Sequence, residues 1–560
     1  MGTASVLAEF LPDERRLSNN VIANAVDSLT AELTQQLARP MFVSTGGTWE
    51  DFNRARKLTS WMDLEFDKHE VDVATVRVIL DGLICGTGVA RWVRDGSKVR
   101  LERIFPAHVL ADDRACVDVM PRSFFLRQIV DRHYLADQYK DDPELYEKIM
   151  GAGVLEHDQI WAEDTLGDTE DVVSVYEAWR LGKNGRHILC VEGALLFDEK
   201  YDRDEPPLCF YRPLLPARGF FGDPPIQRVI GLQLELNKIN QRIQNSMHLH
   251  SRLITFVDRA SRVVKDHITN SLASIIEYDG KPPTFVTPQA MSAEAYKQRK
   301  EYMTEVYEGL GVNEMSAKGT IPRGMSDASG VALELYSDTE SKRFVNQKRF
   351  VDRFRVALAR ERVEVQDQMG DNKVLIERRG VISPVKWGDI KLDEDAMHVQ
   401  IQPTGSLPAT PGGKAKRLEA YMKAGILQAD EYLLVADDPD LERVSAIRLA
   451  PIMLLEQMFE DMLSGGEYKN PEPYMDLNRG LKMCAMYLQM AELHGAPEEA
   501  QEMLRSWLAE AHQRLSPPPP PISPDPSMMP LPGGAPPPMP SPTAGQAPTP
   551  GLMPPSSPPV

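Results

Sequence analysis

The sequence predicts a mainly helical α+β protein of several domains, and three observations predict it. Apolar residues step by three and four through long segments, as at Val229, Leu232, Leu236, Ile239 and Ile243, which is the period of an amphipathic helix. Short alternating runs bounded by turn residues gather within the first 220 residues, which is the period of an antiparallel sheet. At 560 residues the chain is also long enough for large cores in roughly three or four domains of about 150 residues each.

The first helix is expected over Asn19 to Ala38, where Val21, Ile22, Val26, Leu29, Leu33 and Leu37 share one side and Pro40 ends the run. A second helical region, charged on one side, runs from about Thr48 to Ile84. Gly86-Thr87-Gly88 then leads into Val89 to Val93, a turn at Asp95-Gly96 and Val99 to Ile104, the signal of a β-hairpin. Further strands are expected near Phe124 to Val130, Val172 to Leu181 and His187 to Phe197, so residues 1–225 form a mixed α/β domain.

After Gly222-Asp223-Pro224-Pro225 a single helix occupies residues 226–250, about 37 Å long at about 1.5 Å per residue. Its apolar stripe is narrow, and Gln227, Gln233, Asn237, Asn240, Gln241, Gln244 and Asn245 crowd the remaining surface. Residues 251–287 are a compact insert, with strands at Leu253 to Val257, Ser274 to Tyr278 and Thr284 to Val286 and a helix at Ser261 to Leu272. A second amphipathic helix follows over 288–310, with Thr287 as its N-cap and Gly309 and Gly311 as stop signals. Residues 311–329, with Gly319, Pro322 and Gly324, form an irregular loop.

Residues 330–413 open on a long helix from Ser329-Gly330 to about Gln368, carrying Leu333, Phe344, Val351, Phe354 and Leu358 on its apolar side. Ser337-x-x-Glu340 has the form of a capping box within it and marks a kink or restart. Strands near Lys373 to Glu377 and Met397 to Gln402 follow. Residues 414–516 are helical. The last 44 residues, 517–560, hold 20 prolines and one charge, Asp525, so they are expected to form neither a core nor a regular hydrogen-bonded element.

The chemistry of an enzyme is missing from this pattern. There is no Gly-x-x-x-x-Gly-Lys-Ser/Thr phosphate loop, no His-Glu-x-x-His, no Gly-x-Ser-x-Gly and no Gly-x-Gly-x-x-Gly. Gly86-Thr87-Gly88 is too short to cradle phosphates and opens a strand. His248-x-His250 would point its rings to different faces of a helix, and Asp437-Asp438-Pro439-Asp440 reads as a solvated turn or cap. Neither catalytic residues, nor a metal, nor any other cofactor is expected. The five cysteines, Cys85, Cys116, Cys190, Cys209 and Cys484, lie far apart without a CxxC pair and fit a reducing setting. Met1 to Asp13 lacks the form of a signal peptide, and no apolar stretch approaches the length of about 20 residues of a membrane span, so no membrane contact is expected.

The order of elements resembles that of the portal proteins of tailed double-stranded DNA bacteriophages over roughly residues 19 to 410. Asn20 to Leu37 with Trp49 look like that family's N-terminal helices. Gly86-Thr87-Gly88, the hairpin after it and Ile104-Phe105-Pro106 look like its wing, and Ser329-Gly330-Val331-Ala332-Leu333 looks like the start of its kinked helix. The resemblance implies a portal fold with a wing (1–225, with the strands after Asn372), stem helices (226–250 and 288–310), a clip (251–287), a tunnel loop (311–329), a helical crown (414–516) and the proline-rich tail. It implies a homo-oligomeric ring, a homododecamer of about twelve copies, at one capsid vertex of the virion, assembled in the host cytoplasm. The implied partners are the large terminase subunit that drives DNA packaging, head-completion or adaptor proteins, the major capsid and scaffolding proteins, and double-stranded DNA passing through for packaging and ejection.

Elementary physics agrees with a ring. A helix with one narrow apolar stripe is not stable alone in water, so the two helices flanking the insert should pack through Val229, Leu232, Leu236, Ile239 and Ile243 against each other and against neighbouring copies. Gln233, Asn237, Asn240, Gln241 and Gln244 then fall to a channel wall or subunit seam. The formal charge of −19, from 82 acidic and 63 basic residues, decides the mode of DNA contact. A stem of about 37 Å would surround roughly 22 phosphates, and neutralising even about 6 to 10 would hold DNA tightly. An acidic conduit lets DNA pass, with transient contact at Lys318 and Arg323 of the glycine-bearing loop (Gly319, Gly324). Two other readings differ in kind: a helical scaffold or adaptor protein of virion assembly forms no closed ring, and a nucleic-acid-processing enzyme turns over ATP or metal by itself.

Overall fold

In the computed structural model of the chain, the described residues are 19–44, 48–96, 98–112, 116, 120–153, 171–250, 254–256, 284–286, 292–312, 342–370, 372–378, 381–392, 397–401, 418–425 and 442–515. The architecture is mixed α/β, with helices packed on small antiparallel sheets.

Helix α1 (Val21–Thr34) starts at Asn20, whose side chain accepts from the Ala23 N–H, and buries Val21, Ile22, Val26, Leu29 and Leu33. It stops short of the expected Ala38 because the chain must extend into strand β1 (Pro40–Ser44), where Pro40 takes the first strand position that proline tolerates. The helical stretch expected from Thr48 to Ile84 is two helices, α2 (Trp49–Lys68) and α3 (Val71–Cys85). Glu70 breaks it with a left-handed φ of 48°.

The hairpin signal at Asp95-Gly96 produces β2 (Gly88–Asp95) and β3 (Lys98–Ile104), paired from Val89↔Ile104 to Asp95↔Lys98. A five-stranded antiparallel sheet follows in the order β4 (Val109–Ala111), β5 (Ser123–Asp131), β6 (Val172–Arg180), β7 (Arg186–Val191) and β8 (Ala194–Lys200). The single strand expected over His187 to Phe197 is therefore two strands, turned at Gly193 with φ 80°. Helices α4 (Arg132–Gln138) and α5 (Pro143–Gly151) sit between β5 and β6. Strand β9 (Cys209–Tyr211) returns to pair with β2.

The interior of this region is organised by a later helix. Helices α6 (Ile230–His250) and α7 (Ala293–Leu310) flank the short strands β10 (Ile254–Phe256) and β11 (Thr284–Val286), which pair antiparallel, and α8 (Val345–Gln368) comes next. Helix α8 buries Val351, Phe354, Leu358, Ala359 and Val363 against α1 and strands β1, β2 and β9. Trp92 of β2 donates from Nε1 to the Leu358 carbonyl at 2.9 Å. Charged groups share this core: Arg355, 0% exposed, donates to the Ala38 carbonyl and to Asp72, while Arg362 binds Glu65 and lies over the Trp61 ring. Strands β12 (Lys373–Arg378) and β13 (Val381–Lys386) form a hairpin, of which only the first strand was expected, and β14 (Met397–Ile401) pairs with β1.

Helices α9 (Glu442–Leu463), α10 (Leu477–Leu493) and α11 (Glu498–Leu515) build a separate core around Phe459, Leu504 and Trp507. That core docks on the start of α2, where Trp49 donates from Nε1 to the Leu463 carbonyl at 3.3 Å and Phe52 stacks on His494. Gly480 lets α10 approach Trp507 so closely that an added Cβ would lie 2.5 Å from its ring. Gly480→Ala is expected to cost about 1–3 kcal/mol by overpacking, measurable as a lower urea midpoint with an unchanged slope.

Candidate functional site

The candidate site is built on shape: the α6 and α7 pair and what surrounds it. A 3-10 turn over Pro225–Arg228 delivers the chain into α6, and Gly311, at φ 81°, closes α7 with its N–H on the Glu308 and Tyr307 carbonyls. The two helices run antiparallel. Arg299 donates from Nε to Asn240 Oδ1 at 2.6 Å, and at the other end Gly309 leaves room for Val229, whose Cγ1 would lie 2.6 Å from an added Cβ.

The apolar stripe lies where its period placed it. Val229, Leu236, Ile239 and Ile243 are buried and Leu232 is half-buried, with Val306, Tyr307 and Leu310 of α7 in the same core. The second helix begins at Ala293 after Ser292, and the expected start at Pro288 with its Thr287 cap lies outside the described residues.

The amides require a correction. Gln233, Asn237 and Asn240 do not occupy the outer surface of α6; all three are buried within the single chain. Gln233 Oε1 accepts from the Val21 and Ile22 N–H groups at 3.0 and 3.3 Å, and its Nε2 donates to the Asn19 carbonyl at 2.5 Å and to Asn237 Oδ1 at 3.1 Å. Asn237 Oδ1 also accepts from the Asn19 N–H at 3.3 Å. The first turn of any helix has N–H groups without a partner in that helix, and buried ones need an acceptor, which these amides bring to α1. Gln241 and Gln244 are half-buried. Replacing Gln233 by leucine strands the Ile22 N–H, leaves the Val21 N–H only the Asn19 carbonyl, and is expected to cost about 1–3 kcal/mol, read by urea unfolding.

A glycine contact, unread in the sequence, fixes where α6 begins. Gly86, at φ 88°, lies so close to Gly222 that a Cβ on it would be 2.0 Å from the Gly222 carbonyl oxygen, and Thr87 Oγ1 accepts from the Gly222 N–H at 2.9 Å. The signal lies in Gly86-Thr87-Gly88, which opens a strand, together with Gly222-Asp223-Pro224-Pro225, which precedes a helix; neither stretch alone points to the other.

Several expected features fall outside the described residues: Lys318, Gly319, Arg323 and Gly324, the insert's helix and its strand over Ser274 to Tyr278, the Ser337-x-x-Glu340 box, the Asp437 to Asp440 cluster and the proline-rich tail. Among the described residues no group of three or more His, Cys, Asp or Glu side chains is placed to hold a metal ion, and no helix is long and apolar enough to cross a membrane. All five cysteines are free thiols; Cys85 is exposed, and burial raises the Cys209 thiol well above its usual pKa. Models of known protein families and curated proteins provide no match to this chain.

Proposed function

We propose that this chain is the subunit of a ring-shaped portal of a tailed double-stranded DNA phage, a structural conduit for DNA at one capsid vertex. The observation that carries the reading is the antiparallel α6 and α7 pair, which leaves an α/β region, flanks an insert whose described part is a two-stranded ladder, and returns to that region against α1. In this reading α6 and α7 are the stem, the insert is the clip that meets the terminase motor and later the head-completion proteins, and α9 to α11 are the crown. The formal charge of −19 suits a channel that must not grip its cargo, so contact with DNA is weak, transient and independent of sequence.

Electron microscopy of the purified full-length chain tests this directly. Annular particles of about twelve copies with an open axis are the expected result. A monomer at high concentration under capsid-assembly conditions, with no annular particles, overturns it.

A further inference from the structure

Helix α8 shows solvent a face without an acid on it. Of its 24 residues, those exposed are Val345, Asn346, Arg349, Arg353, Arg360 and Gln368. At about 100° per residue the three arginines fall within an arc of about 40°, and at about 1.5 Å per residue they make a row about 17 Å long. The side of the helix opposite the row is the buried one, with Val351, Phe354, Leu358 and Val365.

The carboxylates of α8 are engaged elsewhere. Glu361 and Glu364 bind Arg203, and Asp367 accepts from Trp387 Nε1 and binds Lys391. Asp352 is half-buried; burial raises its carboxyl pKa, and the cation that opposes the rise is Arg355, which is not in the row. Lys348, beside the row, is matched by Glu32 at 2.8 Å. Among the described residues Arg349 and Arg360 have neither a hydrogen-bond nor an ion-pair partner, and Arg353 meets only the Phe350 ring, 5.9 Å from its centroid. In a chain with 82 acidic and 63 basic residues, the balance of charge is reversed along this face.

We propose that this face of α8 binds the phosphate backbone of double-stranded DNA without reading its sequence. A guanidinium pairs with phosphate through two parallel hydrogen bonds. Duplex DNA carries a phosphate about every 3.4 Å along each strand, so the row faces about five of them and finds partners in any register. An acidic protein would instead need carboxylates repeated at the row's own spacing. Three contacts per chain fall short of the about 6 to 10 that hold DNA tightly, so the contact is reversible. Helix α8 packs on α1 and on strands β1, β2, β9 and β14, so the row is a feature apart from the α6 and α7 pair. The choice of DNA rests on the conduit reading, while the row itself needs no ring.

The test is fluorescence anisotropy of the full-length chain with labelled duplexes of two unrelated sequences, from about 50 to 200 mM salt. Saturable binding is expected, equal for both sequences and falling as salt rises. The triple variant Arg349→Gln, Arg353→Gln, Arg360→Gln should bind at least about tenfold more weakly at about 50 mM salt and lower the slope of log affinity against log salt by about 2.7, or about 0.9 for each lost phosphate contact. A second triple variant, Arg39→Gln, Lys148→Gln, Arg505→Gln, removes the same charge from exposed cations that already hold Asp67, Glu144 and Glu498, and should leave both quantities nearly unchanged. All six positions are exposed, and an unchanged thermal melt verifies that the variants fold. No saturable binding at about 50 mM salt, equal losses in the two triples, or displacement of the duplex by polyglutamate at equal charge concentration overturns the proposal. Such a failure in a chain that still forms annular particles removes the row alone; loss of binding confined to the row triple, in a chain that forms no rings, upholds the row and removes the ring.

Discussion

Gly86→Ala is expected to destabilise the N-terminal α/β region by about 4 kcal/mol or more, at the upper end of what single substitutions do. Two costs add. Alanine is strained at the φ of 88° that Gly86 adopts, and its Cβ would lie 2.0 Å from the Gly222 carbonyl oxygen, a distance no rotamer relieves because both groups are backbone. Gly222→Ala meets the same contact from the other side, with its Cβ 2.3 Å from the Gly86 oxygen and 2.8 Å from that of Leu214. Thr87→Val is the graded control: it keeps the volume, removes the acceptor of the Gly222 N–H, and is expected to cost about 1–3 kcal/mol. Urea unfolding followed by tryptophan fluorescence measures all three. If Gly86→Ala loses no more than Thr87→Val, the close backbone contact is not what holds the two segments together. Because Gly222 lies just ahead of Pro225–Arg228 and α6, the ring reading adds that folded Thr87→Val protein assembles less well than its stability alone predicts.

What was legible in the sequence was periodic and local. Asp95-Gly96 between alternating apolar runs placed the hairpin, and the spacing of Val229, Leu236, Ile239 and Ile243 marked a buried stripe because apolar burial at helical spacing has one geometric solution. The strand β1 was not legible, because Pro40 stops a helix as readily as it starts a strand and its partner Ile401 lies far along the chain. The break at Glu70 carries no glycine or proline to announce it. The amides of α6 were misplaced for a related reason: Gln233, Asn237 and Asn240 recur at helical spacing beside the apolar stripe, and only the position of α1 makes their burial favourable. Arg355 and Arg362 are a full two turns apart, in phase with Val351 and Leu358, so the phase gave a signal that residue type concealed. At the candidate site, helix order could be read in advance, while the contact of Gly86 with Gly222 joins segments far apart in the chain, which no residue spacing encodes.

The Glu65 and Arg362 pair should show the second large effect, because both charges are buried and Glu65 is the carboxylate that neutralises Arg362. Arg362 donates from Nε and Nη2 to the same Glu65 oxygen at 2.9 and 2.6 Å, with its plane over Trp61 and Trp92, and Gln366 takes further donors at 3.2 and 3.3 Å. Glu65→Gln leaves the guanidinium charged in a water-poor core, for an expected loss of about 3–5 kcal/mol. Replacing both residues, Glu65→Leu with Arg362→Met, should recover most of that loss, because a well-packed apolar pair escapes the desolvation cost. Acid gives an independent reading. Burial alone would raise the Glu65 pKa, but the hydrogen bond to His69 and the charge and hydrogen bonds of Arg362 outweigh it and hold the carboxyl at about 2. Burial also lowers the Arg362 pKa, but a guanidinium stays charged at any pH where the protein folds, so the titration belongs to the carboxylate. A carboxyl lowered in the folded state stabilises most above its unfolded value of 4.5 and loses that contribution as pH falls towards about 2. The gap between the original protein and Glu65→Gln should therefore be widest near neutrality and narrow steadily below pH 4.5, by about 3 kcal/mol in all. A gap that stays constant across that range would mean that packing, and not the buried charge pair, accounts for the loss.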